Sequence, residues 1–410
     1  MYIQTRFLCM LLCATIACSS PQPQALTPAP GLWRFVLQMN EVELPFHAAY
    51  APSDAGAEFV IANAEERIEV DEIEQRGDSL IIKMPIFNSV FYGKLESPSQ
   101  LSGVYQDYSR GKNYLLPFEA IQGDSSRFAW PEPEEVISLA GRWRMDFSPA
   151  TDSAFPAVGI FEQEGEQLTG TILTETGDYR YLEGSISGTQ VRLSAFDGSH
   201  AFLFHGNLQN DSLFGTFFSG KHWEENWVAV QDENATLRDP NALTYLNPGY
   251  EGISFAFPDT DSNMVSLSDP RFQDKAVIVQ LLGTWCPNCM DESKYFAKLY
   301  KTYQPQGLEI VGLAYERQSE FQEATSNIKR LADRFEIKYP ILIAGNNSKV
   351  EAAKSLPMLN HVLAFPTSIF IDKTGRVRKI HTGFNGPGTG DLYTRFVDET
   401  TQLVEKLVGE

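Results

Sequence analysis

Cysteine, histidine and basic residues are all scarce in this chain. Its 410 residues include five cysteines and six histidines, and 33 Lys and Arg residues face 53 Asp and Glu residues, which gives a formal net charge of −20. Nucleic-acid-binding proteins present a basic face, so this balance argues against that class of partner. After the N-terminal segment, no apolar run approaches the roughly 20 residues that span a bilayer as a helix.

The N-terminus has the pattern of an export signal. One arginine precedes an apolar run at 7–17, and residues 1–17 are predicted to be a signal peptide. The following sequence TIAC, which ends at Cys18, resembles a bacterial lipobox, whose cysteine is acylated and becomes the mature N-terminus. It departs from the usual motif because Thr15 stands where leucine is common. A plain signal peptide cleaved nearby is the alternative, and residues 18–30, rich in proline and polar residues, are predicted to form an extended tether.

Acylation at Cys18 would simplify the cysteine count. Cys9 and Cys13 would leave with the signal peptide. Cys286 and Cys289 would then have no other free thiol to pair with inside the molecule. The same prediction places the protein in the bacterial cell envelope, facing the periplasm and held to a membrane by lipid.

Residues 31–130 and 137–232 look like two copies of one unit. The matching parts begin with GLWRFVL at residue 31 and GRWRMDF at residue 141, and both continue as short strands separated by polar turns. No stretch between the strands has helical periodicity, so each unit is predicted to be an antiparallel β meander that curls into a barrel or sandwich. The segment PEPEEV at 131–136 is predicted to be a stiff spacer between the two β modules.

Most of the histidines lie in the two β modules. None of these histidines forms a pair at a recognisable metal-ligand spacing, so each is interpreted as a surface or partly buried side chain. A barrel mouth that holds a ligand is the alternative. The residues concerned are His47, His200, His205 and His222.

The pattern changes after a polar linker at 233–250. Residues 276–282 form a continuous apolar run, as in a strand buried on both faces of a sheet, and residues 287–303 have the periodicity of an amphipathic helix. Strands and helices then alternate to the end of the chain. Residues 251–410 are therefore predicted to be an α/β domain with a mixed sheet, in a multidomain protein that begins with two β modules.

Cys286 and Cys289 lie where the first buried strand of this domain gives way to its first helix. A structural zinc site needs four ligands, and no second cluster is present. A c-type haem site needs a histidine where Met290 stands. An inert disulfide would close a very small loop and stabilise little. Redox exchange fits every feature, and neither a metal nor another cofactor is predicted.

The helix start explains how the two cysteines would differ. Pro287 suits the first turn of a helix, where its missing N–H group costs nothing. Cys286 would then lie at the N-cap, where unpaired N–H groups and the helix dipole stabilise a thiolate, the form that attacks disulfides. Cys289 would lie one turn inward, where it can attack the mixed disulfide and release the reduced substrate.

Residues 253–410 resemble a thioredoxin-like domain of the TlpA/ResA type, a family of envelope thiol–disulfide oxidoreductases. The resemblance rests on VIVQLLGTWCPNCMDE, GLAYER, AFPTSIFIDKTGRV and HTGF. It implies that Cys286 is the nucleophile and Cys289 the resolving thiol of a redox-active disulfide.

The resemblance also implies roles for the neighbouring residues. Trp285 would shield the motif, while Pro287 and Asn288 would tune its reduction potential. Pro366 matches the cis-proline that faces the disulfide in this fold. A cis bond there would place the backbone of Phe365 to pair with an extended substrate strand.

Glu316 falls where this family carries a buried acid near the resolving cysteine. It would take the proton of Cys289 as a general base if burial raises its pKa; the alternative is a solvated glutamate at a strand end. Gln280 stands where thioredoxins keep a buried aspartate, which supports both this role and the TlpA branch. A peroxiredoxin is disfavoured, because the proline of its Pro-x-x-x-Thr-x-x-Cys context is missing before Cys286.

The resemblance implies an enzyme that exchanges disulfides with client proteins, most often as a reductant recharged by a membrane thiol donor. Clients would include apocytochrome c, and the β modules would hold the catalytic domain off the membrane. Two alternatives remain open from the sequence. The first is a ligand- or partner-binding lipoprotein that uses the thioredoxin fold as a scaffold, and the second is a disulfide oxidant or isomerase.

Overall fold

The computed structural model of the chain describes residues 25–53, 56–130, 137–318 and 320–410. The predicted signal peptide, the predicted acylation site Cys18 and the spacer at 131–136 lie outside these residues. Two antiparallel β modules precede an α/β domain, as predicted. Over the ranges described, no helix is both long and apolar enough to cross a membrane.

The first module is a single antiparallel sheet that curls on itself. Its strands within the described residues are β1 (Gly31–Met39), β2 (Val42–Ser53), β3 (Gly56–Asn63), β4 (Glu66–Val70), β5 (Glu72–Arg76), β6 (Ser79–Lys83), β7 (Ser89–Ser97), β8 (Gln100–Asp107) and β9 (Leu115–Gln122). Their order across the sheet is β4-β3-β2-β1-β9-β8-β7-β6-β5, so the first and last strands of the module pair at its centre.

The second module closes into a barrel. Its described strands are β10 (Gly141–Phe147), β11 (Phe155–Glu164), β12 (Gln167–Thr174), β13 (Gly177–Asp178), β14 (Leu182–Ser187), β15 (Gln190–Phe196), β16 (Ala201–Gln209), β17 (Ser212–Ser219) and β18 (Trp223–Gln231). The first and last strands, β10 and β18, again pair with each other. Because β11 also pairs with β12, the sheet closes, and the short β13 is added beside β12.

A matching tryptophan supports the interpretation of the two modules as repeats. Trp33 and Trp143 each lie in the first strand of a module and are 0% and 3% exposed. The indole of Trp33 donates a hydrogen bond to the carbonyl of Ala29, and that of Trp143 donates one to the carbonyl of Leu139, both at 2.9 Å. Each indole therefore bonds the residue four positions earlier. In both modules this bond fixes the segment before the first strand against the core.

The C-terminal domain alternates helices and strands around a five-stranded sheet. Its elements are α1 (Pro240–Leu243), β19 (Ala256–Pro258), β20 (Met264–Ser266), β21 (Ala276–Leu282), α2 (Pro287–Tyr303), β22 (Leu308–Glu316), α3 (Phe321–Arg334), β23 (Ile341–Asn346), α4 (Lys349–Ser355), β24 (Thr367–Ile371), β25 (Val377–Thr382) and α5 (Asp391–Gly409). The sheet order is β23-β22-β21-β24-β25, with β21 to β23 parallel and β24 and β25 antiparallel. Strands β21 and β22 are buried along their whole length, as expected for the middle of a sheet covered on both faces.

The segment predicted as a plain linker is partly structured. Helix α1 lies inside it and packs against β25, where the hydroxyl of Thr382 donates to that of Thr244 at 2.8 Å and the His381 ring bonds the Asn241 side chain at 2.9 Å. The sequence pattern missed this element because a four-residue helix is too short to show periodicity.

A buried arginine joins the two β modules. Arg127 is 6% exposed and donates to the side chains of Asn63 in the first module and of Ser194 and Glu183 in the second, each at 2.9 Å. It also donates to the carbonyl of Ala62 at 3.2 Å. A charged group this deep is tolerated only when its donors are satisfied, so Arg127 holds the modules in one arrangement.

Replacing Arg127 should therefore destabilise the whole molecule. Arg127→Met leaves the carboxylate of Glu183 and several buried acceptors without their partner, and we expect a loss of about 3–5 kcal/mol in the free energy of unfolding. Urea titration followed by circular dichroism measures it. Arg76→Met is the matched control, because its ion pair with Glu74 is exposed to solvent and should contribute little to stability. Equal losses in the two variants would contradict the role given to Arg127.

Candidate active site

Cys286 lies at the start of helix α2 in the predicted capping geometry. Its backbone is extended (φ −100°, ψ 119°), Pro287 is the first helical residue, and the Cys286 Sγ accepts a hydrogen bond from the N–H of Cys289 at 3.2 Å. Sulfur thus takes the place that a serine or aspartate oxygen has at an ordinary helix N-cap. Both thiols are free, and Cys286 and Cys289 are 4% and 0% exposed.

The segment before Pro366 faces the first cysteine. The Phe365–Pro366 peptide bond is cis, which agrees with what the resemblance implied. The carbonyl oxygen of Phe365 accepts a hydrogen bond from Cys286 Sγ at 3.3 Å. Trp285 packs edge-on against the Phe365 ring at 6.0 Å and donates from its indole to the carbonyl of Tyr315 at 2.9 Å. Trp285 therefore packs against Phe365, one of the two residues of the Cys286–Phe365 contact, and its own position is fixed by the bond to Tyr315.

The two cysteines have different environments. Burial raises the pKa of the Cys289 thiol well above its ordinary value, and the neighbouring Cys286 and the charge of Glu292 raise it further. Cys289 is thus kept as a neutral thiol at neutral pH, and it needs a proton acceptor before it can attack.

Glu292 is the functional candidate that the sequence interpretation missed. It is fully buried, and its carboxylate accepts hydrogen bonds from Gln280 Nε2 and from Ser368 Oγ, each at 2.8 Å. Burial raises the pKa of this carboxyl to about 8. The signal was its spacing, because residues three apart on a helix share a face and Glu292 follows Cys289 by three. Gln280, noted only for replacing an aspartate, is a partner of this acid.

Glu316 is buried, as the resemblance implied, but its bonds go elsewhere. Its carboxylate accepts from the N–H of Thr284 at 2.8 Å and from the Thr284 hydroxyl at 2.5 Å. Burial raises its pKa. Glu316 therefore holds the loop that leads into Cys286, whereas Glu292 lies close enough to Cys289 for its charge to add to the effect of burial on the pKa of that thiol. A proton-transfer role for Glu316 stays a prediction, and Glu292 is the better placed acid.

The second β module lies directly on the start of helix α2. Asp178 Oδ2 accepts hydrogen bonds from Asn288 Nδ2 at 3.1 Å and from the N–H of Gly386 at 2.6 Å. Gly177 leaves no room, since a Cβ atom there would be 2.6 Å from Asn288 Nδ2. Asn288, between the two cysteines, is thus a docking residue for the β module. The module contributes to the site itself, beyond the spacer role expected from the sequence.

One arginine connects all three domains at this place. Arg180 of the second module forms ion pairs with Glu66 of the first module and with Asp291 of helix α2. It also donates to the carbonyl of Pro287 at 3.2 Å. Each charge is partly or fully buried, so the bridge fixes the modules relative to the active-site helix.

The histidines of the β modules are not gathered into a metal site. Among the described residues, no group of three or more His, Cys, Asp and Glu side chains is arranged to hold a metal ion. His47 and His200 are buried, and the Nδ1 of His200 is 3.0 Å from the carboxylate of Asp197. His200 and His222 do, however, line a cavity next to Cys286.

Paired thiols of unequal burial, set at a helix start against a cis-proline, define the class: a thioredoxin-like thiol–disulfide oxidoreductase. Comparison with known proteins agrees. Residues 248–380 match the AhpC/TSA family. The thiol-disulfide oxidoreductase ResA of Geobacillus thermodenitrificans is 33% identical over 140 residues, which cover 34% of this chain and 72% of that protein. Through its C-terminal domain, the chain belongs to the ResA family of thiol–disulfide oxidoreductases.

Other similar proteins cover the same part of the chain. The ResA protein of Halalkalibacterium halodurans is 28% identical over 157 residues, or 38% of this chain and 77% of that protein. A solved thioredoxin-family thiol:disulfide interchange protein from Chlorobium tepidum aligns with 42% of this chain and 99% of its own, at 22% identity and a TM-score of 0.30. These matches concern the C-terminal domain, so the roles of the β modules have to be argued from their contacts.

Glu292 should make stability depend on pH. Its pKa is raised from 4.5 to about 8 on folding, so the folded state binds its proton more tightly than the unfolded chain does. The free energy of unfolding should therefore fall as pH rises between these two pKa values, by about 1.4 kcal/mol for each step of one in pH.

Glu292→Gln cannot ionise and should lose this dependence. Urea unfolding of the reduced proteins, followed from the acidic to the alkaline side of that pH interval, measures it. We expect the variant to gain stability relative to the unaltered protein as pH rises. A constant difference between the two proteins across this range would show that Glu292 is not a high-pKa acid.

Proposed function

We propose that the protein is a lipid-anchored envelope enzyme that reduces disulfides in client proteins. The observation that carries this proposal is the asymmetry of the cysteine pair. Cys286 Sγ caps helix α2 by accepting from the N–H of Cys289 and faces the cis-proline segment, whereas Cys289 is fully buried near a carboxyl of high pKa. One thiol is arranged to attack a substrate, and the other is arranged to stay protonated until it is needed.

The exchange would proceed in two displacements. The Cys286 thiolate attacks one sulfur of the client disulfide, so that a mixed disulfide forms and the client's other sulfur leaves as a thiolate, which takes up a proton. Cys289 gives its proton to the ionised form of Glu292 and attacks Cys286 Sγ, and the second client sulfur leaves as a thiolate, which takes up a proton. The client gains two electrons, the Cys286–Cys289 pair becomes a disulfide, and a dithiol donor in the membrane reduces that pair again.

The state of Cys289 supports the reductive direction. A disulfide couple is strongly oxidising when its reduced form is stabilised. Because burial raises the pKa of Cys289, this thiol gains no stabilisation as a thiolate at neutral pH. Cys289 therefore adds nothing that would make the couple oxidising, which supports a pair that passes its electrons to a client.

The reverse direction is the second candidate, and two cations favour it. Partial removal from water lowers the pKa of Arg317 to about 10 and lowers that of Lys349, and the charge of Cys286 opposes this shift in both, so both cations lie near its sulfur. Cations beside the attacking sulfur would stabilise the reduced pair and make the couple more oxidising. Whether the enzyme is a reductant, or instead an oxidant or isomerase, therefore depends on the balance between the burial of Cys289 and the cations beside Cys286.

The family and the N-terminal sequence support the clients and the location that we propose. Membership of the ResA family supports client proteins with cysteine pairs, and we include apocytochrome c, whose haem-binding cysteines must be reduced. The lipobox-like sequence ending at Cys18 supports anchoring of a periplasm-facing enzyme. The connection of the anchor to the β modules would place the catalytic domain within reach of a membrane dithiol donor.

Reduction of insulin by dithiothreitol tests the chemistry. The unaltered protein should accelerate it, and Cys286→Ser should return the rate to that of dithiothreitol alone, because the attacking sulfur is lost. Cys289→Ser should instead accumulate a mixed disulfide with insulin, visible as a band on a non-reducing gel. Failure of the unaltered protein to reduce insulin or any other disulfide would favour a binding lipoprotein with the thioredoxin fold as scaffold.

Membrane fractionation tests the anchor. Cys18→Ser should move the protein from the membrane to the soluble fraction, because the acyl acceptor is gone. Cys13→Ser is the matched control, since Cys13 belongs to the predicted signal peptide and would be removed in the mature protein. Retention of Cys18→Ser in the membrane fraction would rule out acylation at this residue as the anchor.

A further inference from the structure

A cavity of about 320 Å³ lies between the active-site loop and the two β modules. Its floor includes Trp285 and Pro287, the residues on either side of Cys286, and Phe365, whose carbonyl bonds Cys286 Sγ. Both β modules contribute walls, with Arg110 from the first and Phe202 from the second. A client disulfide that reaches Cys286 from this side has to enter a space built by three domains.

The charge of this cavity is opposite to that of the whole chain. The formal net charge of the protein is −20, yet the cavity is lined by three cations, Arg110, Arg317 and Lys349. The sole carboxylate among its described lining residues is Asp178. The oxygens of Asp178 already accept hydrogen bonds from the N–H groups of Arg180 and Gly386 and from Asn288, so they are committed to docking the β module.

Two of the three cations have no carboxylate partner in the part of the chain that the structure describes. Arg317 donates to Ser109 Oγ at 3.3 Å and stacks over the Trp285 ring at 4.9 Å, and neither contact neutralises its charge. Lys349 is exposed at the start of helix α4, with no ion pair in the described residues. Unpaired cations that line a cleft attract and hold anions.

Arg110 is partly neutralised but is held in place. Its Nε is 3.2 Å from the buried carboxylate of Asp107, and its Nη1 is 2.7 Å from His222 Nε2. Burial and the charge of Arg110 lower the pKa of His222 to about 4, so His222 is a neutral acceptor at neutral pH. The histidine thus orients the arginine without adding charge of its own.

We propose that this cavity is a substrate subsite for disulfides flanked by carboxylates, with Arg317, Lys349 and Arg110 as the residues that bind them. The proposal rests on the exchange chemistry proposed above and names its substrate class. The volume suits a short peptide segment or a small disulfide molecule, since pockets for such ligands begin near about 300 Å³. Trp285, Phe202 and Phe365 supply apolar walls, so the carboxylates would be bound at the cationic side.

Paired substrates of opposite charge test the proposal. Two disulfide-bonded peptides of equal length, one with glutamates and one with lysines beside the cystine, are offered to the reduced full-length protein, and the rate constants of exchange are measured. We expect the acidic peptide to react about tenfold faster or more, in the range that electrostatic attraction contributes. The ratio of the two rates should shrink as salt is added. Oxidised glutathione and cystamine form a second pair that lacks a longer peptide chain.

The variants assign the effect to the cavity. The double variant Arg317→Gln and Lys349→Gln should bring the ratio of acidic to basic rates close to one, and Arg317→Lys, which keeps the charge, should largely preserve it. Lys354→Gln is the matched control, because Lys354 lies on the same helix as Lys349 but pairs with Glu351 on the exposed surface. The ratio of rates is the readout because it is insensitive to a general loss of reactivity at Cys286.

The outcomes separate this proposal from the one it rests on. Discrimination in the peptide pair supports the subsite, and discrimination in the glutathione pair alone identifies a small-molecule substrate for it. Equal rates within both pairs, or a ratio that the double variant leaves unchanged, would overturn the subsite while exchange itself stands. Absence of exchange with all four disulfides would instead overturn the proposed function.

Discussion

The contact between the second β module and the first turn of helix α2 determines the environment of the reactive cysteine. Asp178 accepts from Asn288, between the two cysteines, and Arg180 donates to the carbonyl of Pro287. These bonds lie in a buried interface, where an unpaired polar group would cost far more than a paired one contributes. The modules are therefore held against the active site, and Cys286 is 4% exposed. Access to the sulfur, and with it the choice of substrate, depends on this interface.

The interface also separates two electrostatic environments around the cysteine pair. Cations face the cavity next to Cys286, whereas behind Cys289 lies a buried acid whose pKa is about 8. Cys289 and Glu292 are both fully buried, where charges are screened less than in water. The outer sulfur is placed to meet a charged substrate, and the inner one is placed to pass a proton inward. Cys286 and Cys289 lie one turn apart on helix α2. This spacing lets the first sulfur attack the client and the second attack the mixed disulfide that results.

Short sequence motifs were sufficient to predict the features that lie within one short stretch of the chain. The CxxC spacing, Pro287 at the helix start and the resemblance around Pro366 predicted the reactive pair and its cis-proline neighbour. Glu292 was within reach of the same reasoning, but its role appears only when Gln280 and Ser368 are seen to bond it. Docking of the β modules was out of reach, because Asp178 and Asn288 are 110 residues apart. The periodicity of apolar residues predicts helices and strands, and it contains no information on which distant residues are in contact.

The reduction potential of the Cys286–Cys289 couple tests the central claim most directly. Equilibration of the full-length protein with glutathione or dithiothreitol buffers, followed by alkylation of the remaining thiols, gives its value. A reductant requires a potential near that of thioredoxin, about −270 mV, or below it. A potential close to that of the strong disulfide oxidants, about −120 mV, would contradict the account and would show that the cations beside Cys286 outweigh the burial of Cys289.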